Sequence, residues 1–462
     1  MYHINKLGGT AVGNYKYYSN ICKIAMMQKK PVFVVSAINP ITKNTGTTTQ
    51  LINIHNSWNT YKKHDWPFMK ENFDPFKNII NSHKELETML GLDSLCNDSY
   101  KPSHEIIQSN VVGWRERLQN KIRLDNFIYL GELLSANILS GYFNKCGLDS
   151  EVIDLTDIMK HHRISISNST ERQQLIDHCK YKIPSQIQSS IPVFTGYFGS
   201  LNSYEILGRG YSDTTSAIIS SVCDSPLTVW KESGGVFTGH PFKINNADQL
   251  DSISLNEANE LTSFGNDVLH PMTSQFTREF KFNVDIRDIR DLEDAGTKIR
   301  LHGGAHGDAH GGAHGGAHDE RLVTAISVKE NITIVNVSLD KGKVFFDVIN
   351  HLKTFNPLLI SITKSVISIA IDANADIDHV YDALKSCGSV KILENRSCIS
   401  CIGEGMKKQL GTSSKIFTEL AKIGKNIEMI CQGPDEINVS VIVDSNDLWQ
   451  CVQLLHDELI IK

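Results

Sequence analysis

At 462 residues and 51.6 kDa the chain exceeds what one hydrophobic core usually supports, so two or three domains are expected. Hydrophobic residues at 40% and charged residues at 21% give a globular balance that excludes wholesale disorder and a coiled coil. With 46 basic and 52 acidic residues the formal charge is only -6, which supplies no positive field for a polyphosphate backbone and argues against nucleic acid as a partner. The opening Met1-Tyr2-His3-Ile4-Asn5-Lys6 lacks the basic and apolar regions of a secretory signal, and no run reaches the roughly 18 to 20 apolar residues of a bilayer span. A soluble, cytoplasmic protein with no membrane partner is expected. The ten cysteines are scattered through hydrophobic segments, as reduced buried thiols are, and the lone CxxC, Cys398 and Cys401, has no second pair to complete a zinc site.

In chain order, a short strand is expected over residues 2–7, broken by Gly8-Gly9-Thr10 before a helical stretch from near Asn14. Residues 31–37 (PVFVVSA) form a continuous apolar run of the kind buried on both faces of a parallel sheet, so the two make a βαβ unit. A helical, polar pattern with Trp58, Trp66 and Trp114 then reads as an insertion at about 50–126. Further strands are expected at 151–154, 191–194, 227–230 and 282–286, separated by helix-length segments. This alternation predicts an α/β fold, a mainly parallel sheet sandwiched by helices, with ligands beyond the carboxyl ends of the strands.

The stretch 302–318 places His302, His306, His310, His314 and His318 among glycine and alanine. A four-residue period suits helical metal ligands, yet each glycine costs about 1 kcal/mol in a helix, so a flexible linker over 301–320 is expected and no metal site. Beyond it the pattern repeats. Strands at 332–337 and 366–371 accompany helices near 344–354 and 377–386, and then 398–402, 412–423, 427–431, 437–443 and 448–459 give the order βαββα. Two copies, 321–395 and 396–462, suggest paired ferredoxin-like βαββα modules whose task is binding rather than chemistry.

Three elements carry candidate chemistry. Lys6-Leu7-Gly8-Gly9-Thr10 joins a fixed cation to glycines that let backbone N–H groups approach an anion, with phosphate the natural guest. Gly208-Arg209-Gly210-Tyr211-Ser212-Asp213 offers a guanidinium fork for a carboxylate and an aspartate able to orient a lysine or a hydrated magnesium ion. Gly131-Glu132 supplies an acid suited to a substrate ammonium.

Together these elements resemble the amino-acid kinase superfamily, and specifically aspartate kinases of the fungal type, over nearly the whole chain. The family's K-F-G-G-T-S-V is matched by residues 6–12, its V-x-S-A by Val35-Ser36-Ala37, its GTT by Gly46-Thr47-Thr48, and PVFTG-x-F-G by 192–199. W-K-E, E-A-x-E-L and V-[IL]-H-P correspond to 230–232, 257–261 and 268–271. Residues 426–433 and 436–440 are similar to the NIEM-I-x-QG and EIN-[IV]-S strings of the second regulatory ACT domain. Four positions depart from the pattern: Ala11 replaces a serine, Gly234 an aspartate, and His240 and Phe242 stand in the family's T-A-D-P-R, where Phe242 removes an arginine near the nucleotide.

The resemblance implies a kinase domain at 1–300, ACT domains at 321–395 and 396–462, and attack of the aspartate side-chain carboxylate on the γ-phosphorus of ATP. Catalysis would rest on Lys6 and Asp213. Phosphate and nucleotide would be held by Lys6, Gly8, Gly9, Thr10, Ser36, Ser212, Lys231, Glu232 and Phe237, with Mg2+ carried mainly on the phosphates. Aspartate would be held by Thr48, Glu132 and Arg209. A feedback effector, threonine, would meet Asn426, Ile427 and Gln432, and a homo-oligomer would form through the ACT domains. Two alternatives are a catalytically weak amino-acid sensor on a kinase scaffold, motivated by the departures, and a related kinase acting on glutamate.

Overall fold

The computed structural model describes residues 1–39, 46–60, 75–95, 100–116, 123–159, 166–187, 190–198, 204, 208, 210–301, 322–352 and 355–461. Residues 302–320 of the expected linker, and Trp66, lie outside these residues. Two compact units divide the chain, Met1–Gly235 with His270–Leu301, and Val236–Leu269 with His302–Lys462. Residues 236–269, expected within the first domain, therefore pack with the C-terminal half.

The strands of the first half are β1 (His3–Leu7), β2 (Pro31–Val35), β3 (Ser150–Ile153), β4 (Ile191–Thr195), β5 (Leu227–Lys231), β6 (Ser252–Ser254), β7 (Val284–Asp288) and β8 (Thr297–Arg300). In the first unit they run in the order β3-β4-β2-β1-β5-β7-β8, parallel except for β8, which pairs antiparallel with β7. β8 escapes a reading by apolar runs because its sequence, TKIR, alternates. β1 and β2 are central, and every residue of β2 is buried, which explains an uninterrupted PVFVV. Lys6 lies in register with Val34 on one side and Val229 on the other.

Helices Tyr18–Met27 and Leu124–Lys145 cover part of this sheet in a core that includes Tyr18, Ile21, Phe33, Val35 and Phe143. Helix Tyr211–Cys223 reads YSDTTSAIISSVC, and its small side chains let it pack closely against helices Ser169–Gln186 and Pro271–Phe280. The insertion is helical: Thr47–Thr60, Lys77–Met89 and Ser103–Glu116 gather around Leu51, Ile79, Ile106, Phe127 and Leu130. Glu87 ties two of these helices by accepting from the Ser103 N–H at 2.8 Å, satisfying an otherwise orphaned helix-start donor. Among the described residues no helix is long and apolar enough to cross a membrane.

The second unit contains β9 (Ala325–Leu339), β10 (Leu359–Ile362), β11 (Val366–Asp372), β12 (Gly388–Ile402), β13 (Met429–Gln432) and β14 (Asn438–Asp444), in the sheet order β10-β11-β9-β12-β14-β13. Two long strands serve both βαββα repeats. The C-terminal part of β9 (332–339) pairs with β11 and with the start of β12, whereas its N-terminal part (325–329) pairs with the end of β12. Ile326 accordingly shares a core with Ile399, Ile416, Val441 and Leu455, while Val335 and Val337 share another with Val348, Ile369 and Val380. The first repeat is thus nested in the second rather than preceding it, so a division between 395 and 396 cuts through a continuous strand. Cys398 and Cys401, three residues apart on β12, face different cores, as the period of two requires.

Residues 236–269 are tied to this sheet by hydrogen bonds. The Ile326 N–H donates to the Thr238 carbonyl at 2.8 Å. Glu257 caps its own helix through Ser254 and accepts from Thr324 at 2.6 Å and from the Glu404 N–H at 3.0 Å. Asn438 donates to Glu260 at 2.7 Å. The glutamates read as an E-A-x-E-L string therefore serve the C-terminal unit.

The nested strand has a measurable consequence. A fragment of residues 322–461 should show a cooperative thermal transition by circular dichroism, whereas 396–461, lacking the strand at 325–329, should not. An equally sharp transition in the shorter fragment would contradict the nesting.

Candidate active site

The first turn of helix Tyr211–Cys223 gathers the site. Its three opening residues each meet a different segment at the carboxyl ends of the central strands, and the turn is entered through Gly210 at φ 95, a left-handed conformation that favours glycine. A Cβ on Gly210 would also lie 2.7 Å from the His270 ring.

Asp213 carries Lys6. The Lys6 Nζ and Asp213 Oδ1 atoms are 2.7 Å apart, with the side chains only 9% and 16% exposed. Ser212 meets Ser36, just past β2, with hydroxyl oxygens 2.8 Å apart. Tyr211 is buried near Glu132 and meets the Tyr197 ring edge-on, with centroids 4.7 Å apart. Glu132, from helix Leu124–Lys145, is 1% exposed and accepts the Ala37 N–H at 3.3 Å through Oε1. Its Oε2 has no partner of hydrogen-bond geometry among the described residues, an acceptor suited to a cationic guest.

Burial pushes the Glu132 carboxyl well above the ordinary glutamate range, against the lowering influence of the Ala37 N–H, Lys6 and Tyr211. Burial likewise raises the Tyr211 phenol, reinforced by the neighbouring Glu132 charge.

Glycines make this convergence possible. A Cβ on Gly9 would fall 2.4 Å from the Ala37 carbonyl oxygen, and one on Gly196, after β4, would fall 2.3 Å from the Val35 carbonyl and 2.5 Å from Glu132 Oε2. Gly9 therefore passes close beneath the residues after β2, with Asn39 donating its N–H to the Gly9 carbonyl at 3.0 Å. Thr10 is half-buried in the short helix Gly9–Gly13.

One strand away, Trp230 donates its indole N–H to Asn5 at 3.0 Å beneath the Arg287 guanidinium. Lys231 ends β5 in register with Asp288, and the Tyr17 phenol is pushed up by burial and by the nearby Glu232 charge. Asp288 pairs with Arg290 at 2.6 Å.

Lys6, Gly8, Gly9, Ser36, Thr48, Glu132, Ser212 and Asp213 thus surround one end of the sheet, with Lys231 and Glu232 on the adjoining strand. Phe237 is assigned to the second unit, where it bridges to Gln249, and Arg209 lies outside the described residues. Asn426 and Gln432 are exposed beside β13, whereas Ile427 packs against the core containing Ile416 and Val441. Sequence reasoning quoted Tyr211 and Gly196 inside motifs without giving them roles. The available signal was position: a tyrosine opening a helix beside the expected lysine partner, and a glycine immediately after a buried strand.

The sequence model of the amino acid kinase family matches residues 1–288, and an ACT domain model matches 399–459. The aspartokinase of Candida albicans is 26% identical over 99% of this chain and 90% of its own length. The crystal structure of Clostridium acetobutylicum aspartate kinase aligns at 22% identity with a TM-score of 0.74, covering 99% of this chain and 100% of that one. E. coli aspartokinase III, crystallised with aspartate and ADP, aligns at 18% identity with a TM-score of 0.72 over 99% and 100% of the two chains.

The raised Glu132 carboxyl has a definite sign in stability. Between the unfolded and folded values the folded state holds more protons, so this group's contribution falls as pH rises above the unfolded value. Glu132→Gln, which mimics the protonated acid, should melt higher relative to the parent at mildly alkaline than at mildly acidic pH. A difference in melting temperature that is constant with pH would contradict this.

Proposed function

The chain belongs to the amino acid kinase family, and from that premise we propose that it is an aspartate kinase, transferring the γ-phosphoryl group of ATP to the side-chain carboxylate of L-aspartate. The observation that carries this reading is the convergence of a buried cation, Lys6, and a buried acid with an open acceptor, Glu132, on the first turn of one helix. The first serves phosphoryl charge and the second an amino acid's ammonium. The full-length likeness to aspartokinases supports the choice of substrate.

The acceptor carboxylate is ionised at neutral pH, so no protein nucleophile is required and the work is to align two anions and offset their repulsion. Lys6, held by Asp213, stands where charge on the transferring group would develop. Ser36 and Ser212 offer hydroxyls beside it, and Gly8 and Gly9 allow close backbone approach. Glu132 would take the α-ammonium and Arg209 the α-carboxylate, while Lys231 and Glu232 lie toward the nucleotide. The donors around Lys6 are oxygens, which suits hydrated Mg2+ held on the nucleotide phosphates with its waters toward Ser36 and Ser212. That ion would neutralise phosphate charge, and no side chain need bind it directly.

The product, 4-phospho-L-aspartate, would open the biosynthesis of threonine, methionine and lysine. Threonine is the effector we assign to the ACT modules, meeting Asn426 and Gln432, with association of chains through these modules. All nine described cysteines are free thiols, which fits a reducing cytoplasm.

Coupled assay of aspartyl hydroxamate, with glutamate as the comparison substrate, tests the reaction. Lys6→Ala should lower turnover by roughly three orders of magnitude with the fold intact, and a variant keeping a tenth of the parent rate would remove Lys6 from this role. Calorimetric titration should detect threonine binding that Gln432→Ala weakens. Coupling of about 5- to 150-fold between effector and substrate is the usual scale.

A further inference from the structure

Helix Leu124–Lys145 meets the sheet through more than Glu132. Asp125, Tyr129 and Glu132 are spaced by four and three residues and so share one face. Each reaches the carboxyl end of a different strand: Glu132 accepts from the Ala37 N–H after β2, the Tyr129 hydroxyl donates to Asp154 after β3, and Asp125 accepts from the Tyr197 hydroxyl after β4. Tyr197 is fully buried, and its ring meets that of Tyr211 at an interplanar angle of 77°. Tyr211 is followed in the same helical turn by Ser212 and Asp213, the partners of Ser36 and Lys6. Resting on the aspartate kinase reading, we propose that Tyr197 is a positioning residue: with its hydroxyl fixed by Asp125 and its ring against Tyr211, it sets the separation between the ammonium end of the site at Glu132 and the phosphoryl end at Lys6 and Asp213.

Both ends of this brace are held. Asp125 takes Tyr197 on Oδ1 and Arg123 on Oδ2, the latter at 3.3 Å, so its carboxylate keeps a charge partner while it fixes the phenol. The Thr215 hydroxyl lies 2.5 Å from the Gly196 carbonyl and 3.0 Å from the Tyr211 carbonyl, joining the turn after β4 to the same helix. A Cβ on Gly196 would fall 2.6 Å from the Ser212 Cβ. Packing this close passes a displacement of Tyr197 on to the turn at 211–213 rather than absorbing it. The ring alone fills the space, whereas the hydroxyl alone ties it to the helix that carries Glu132.

The test is steady-state kinetics of the full chain, varying aspartate and ATP separately, beside thermal melts. Tyr197→Phe keeps the ring and its packing, so a folded protein is expected, but it frees the ring from Asp125. Each guest meets one end of the site, so the KM values for aspartate and ATP should hold within about twofold. Transfer needs both ends in register, so kcat should fall about tenfold. Asp125→Ala should reproduce this loss, and Asp125→Asn, which keeps a carbonyl oxygen for the phenol, should restore most of kcat. Tyr197→Phe combined with Asp125→Ala should be no slower than either single variant, since both remove the same hydrogen bond.

A parental kcat in Tyr197→Phe, whatever its melting temperature, would overturn the inference and reduce the tyrosine to packing. A loss confined to one KM would overturn it as well, making Tyr197 a contact of that substrate, and so would kcat losses that multiply in the double variant. If Lys6→Ala abolishes turnover while Tyr197→Phe behaves as the parent, this inference fails and the aspartate kinase reading stands. Absence of turnover in the parent chain overturns both.

Discussion

The site depends on burying a carboxyl group, Glu132, and an ammonium, Lys6, at the same end of one sheet. Removing Glu132 and Lys6 from water costs several kcal/mol per charge unless partners are supplied. One helical turn supplies Asp213 to Lys6 and Ser212 to Ser36, while Glu132 accepts the Ala37 N–H. Placing three consecutive residues against three separate segments requires backbones to approach closer than a side chain permits. Glycine at 9, 196 and 210 meets that requirement. A methyl group at Gly196 would strike both β2 and Glu132, so the architecture of the sheet ends and the electrostatics of the site are a single constraint.

Unequal satisfaction within the cluster gives it chemical direction. Lys6 and Asp213 form an ion pair with N···O 2.7 Å, an electrostatic partnership for both charges. Glu132 is only partly satisfied: one oxygen holds the Ala37 N–H, and the other stays open among the described residues. An open acceptor this deep destabilises the folded protein by itself, and such a cost is repaid when a cationic guest fills it. Binding energy is thereby reserved for a ligand carrying an ammonium group.

The C-terminal unit follows a different physical plan. Two fifteen-residue strands, β9 and β12, each serve two modules, so neither module owns a complete sheet. Sharing strands removes two exposed edges that separate sheets would present. The same unit incorporates residues 236–269, which follow β5 in the chain, through Glu257 and Glu260. The segment directly after Lys231 and Glu232 is consequently built into the unit proposed to sense the effector.

Much of this was legible in the sequence because it depends on local periodicity. β1, β2, β4 and β5, the helical insertion and most regulatory strands follow from apolar runs and spacing, and the motifs carried Lys6, Ser36, Glu132, Ser212 and Asp213 to their candidate roles. What failed was nonlocal. The nesting of one repeat in the other rests on β9 pairing with both ends of β12, from Leu339 with Gly388 to Ala325 with Ile402, which period-two alternation cannot encode. Residues 236–269 join the second unit through hydrogen bonds that include those Glu257 accepts from Thr324 and Glu404 and Glu260 accepts from Asn438, and a glutamate's sequence neighbours do not announce its partner. Tyr211 stood in plain sight within its motif. Its neighbours Ser212 and Asp213 meet Ser36 and Lys6 across 176 and 207 positions of chain, and only the tertiary fold closes those distances.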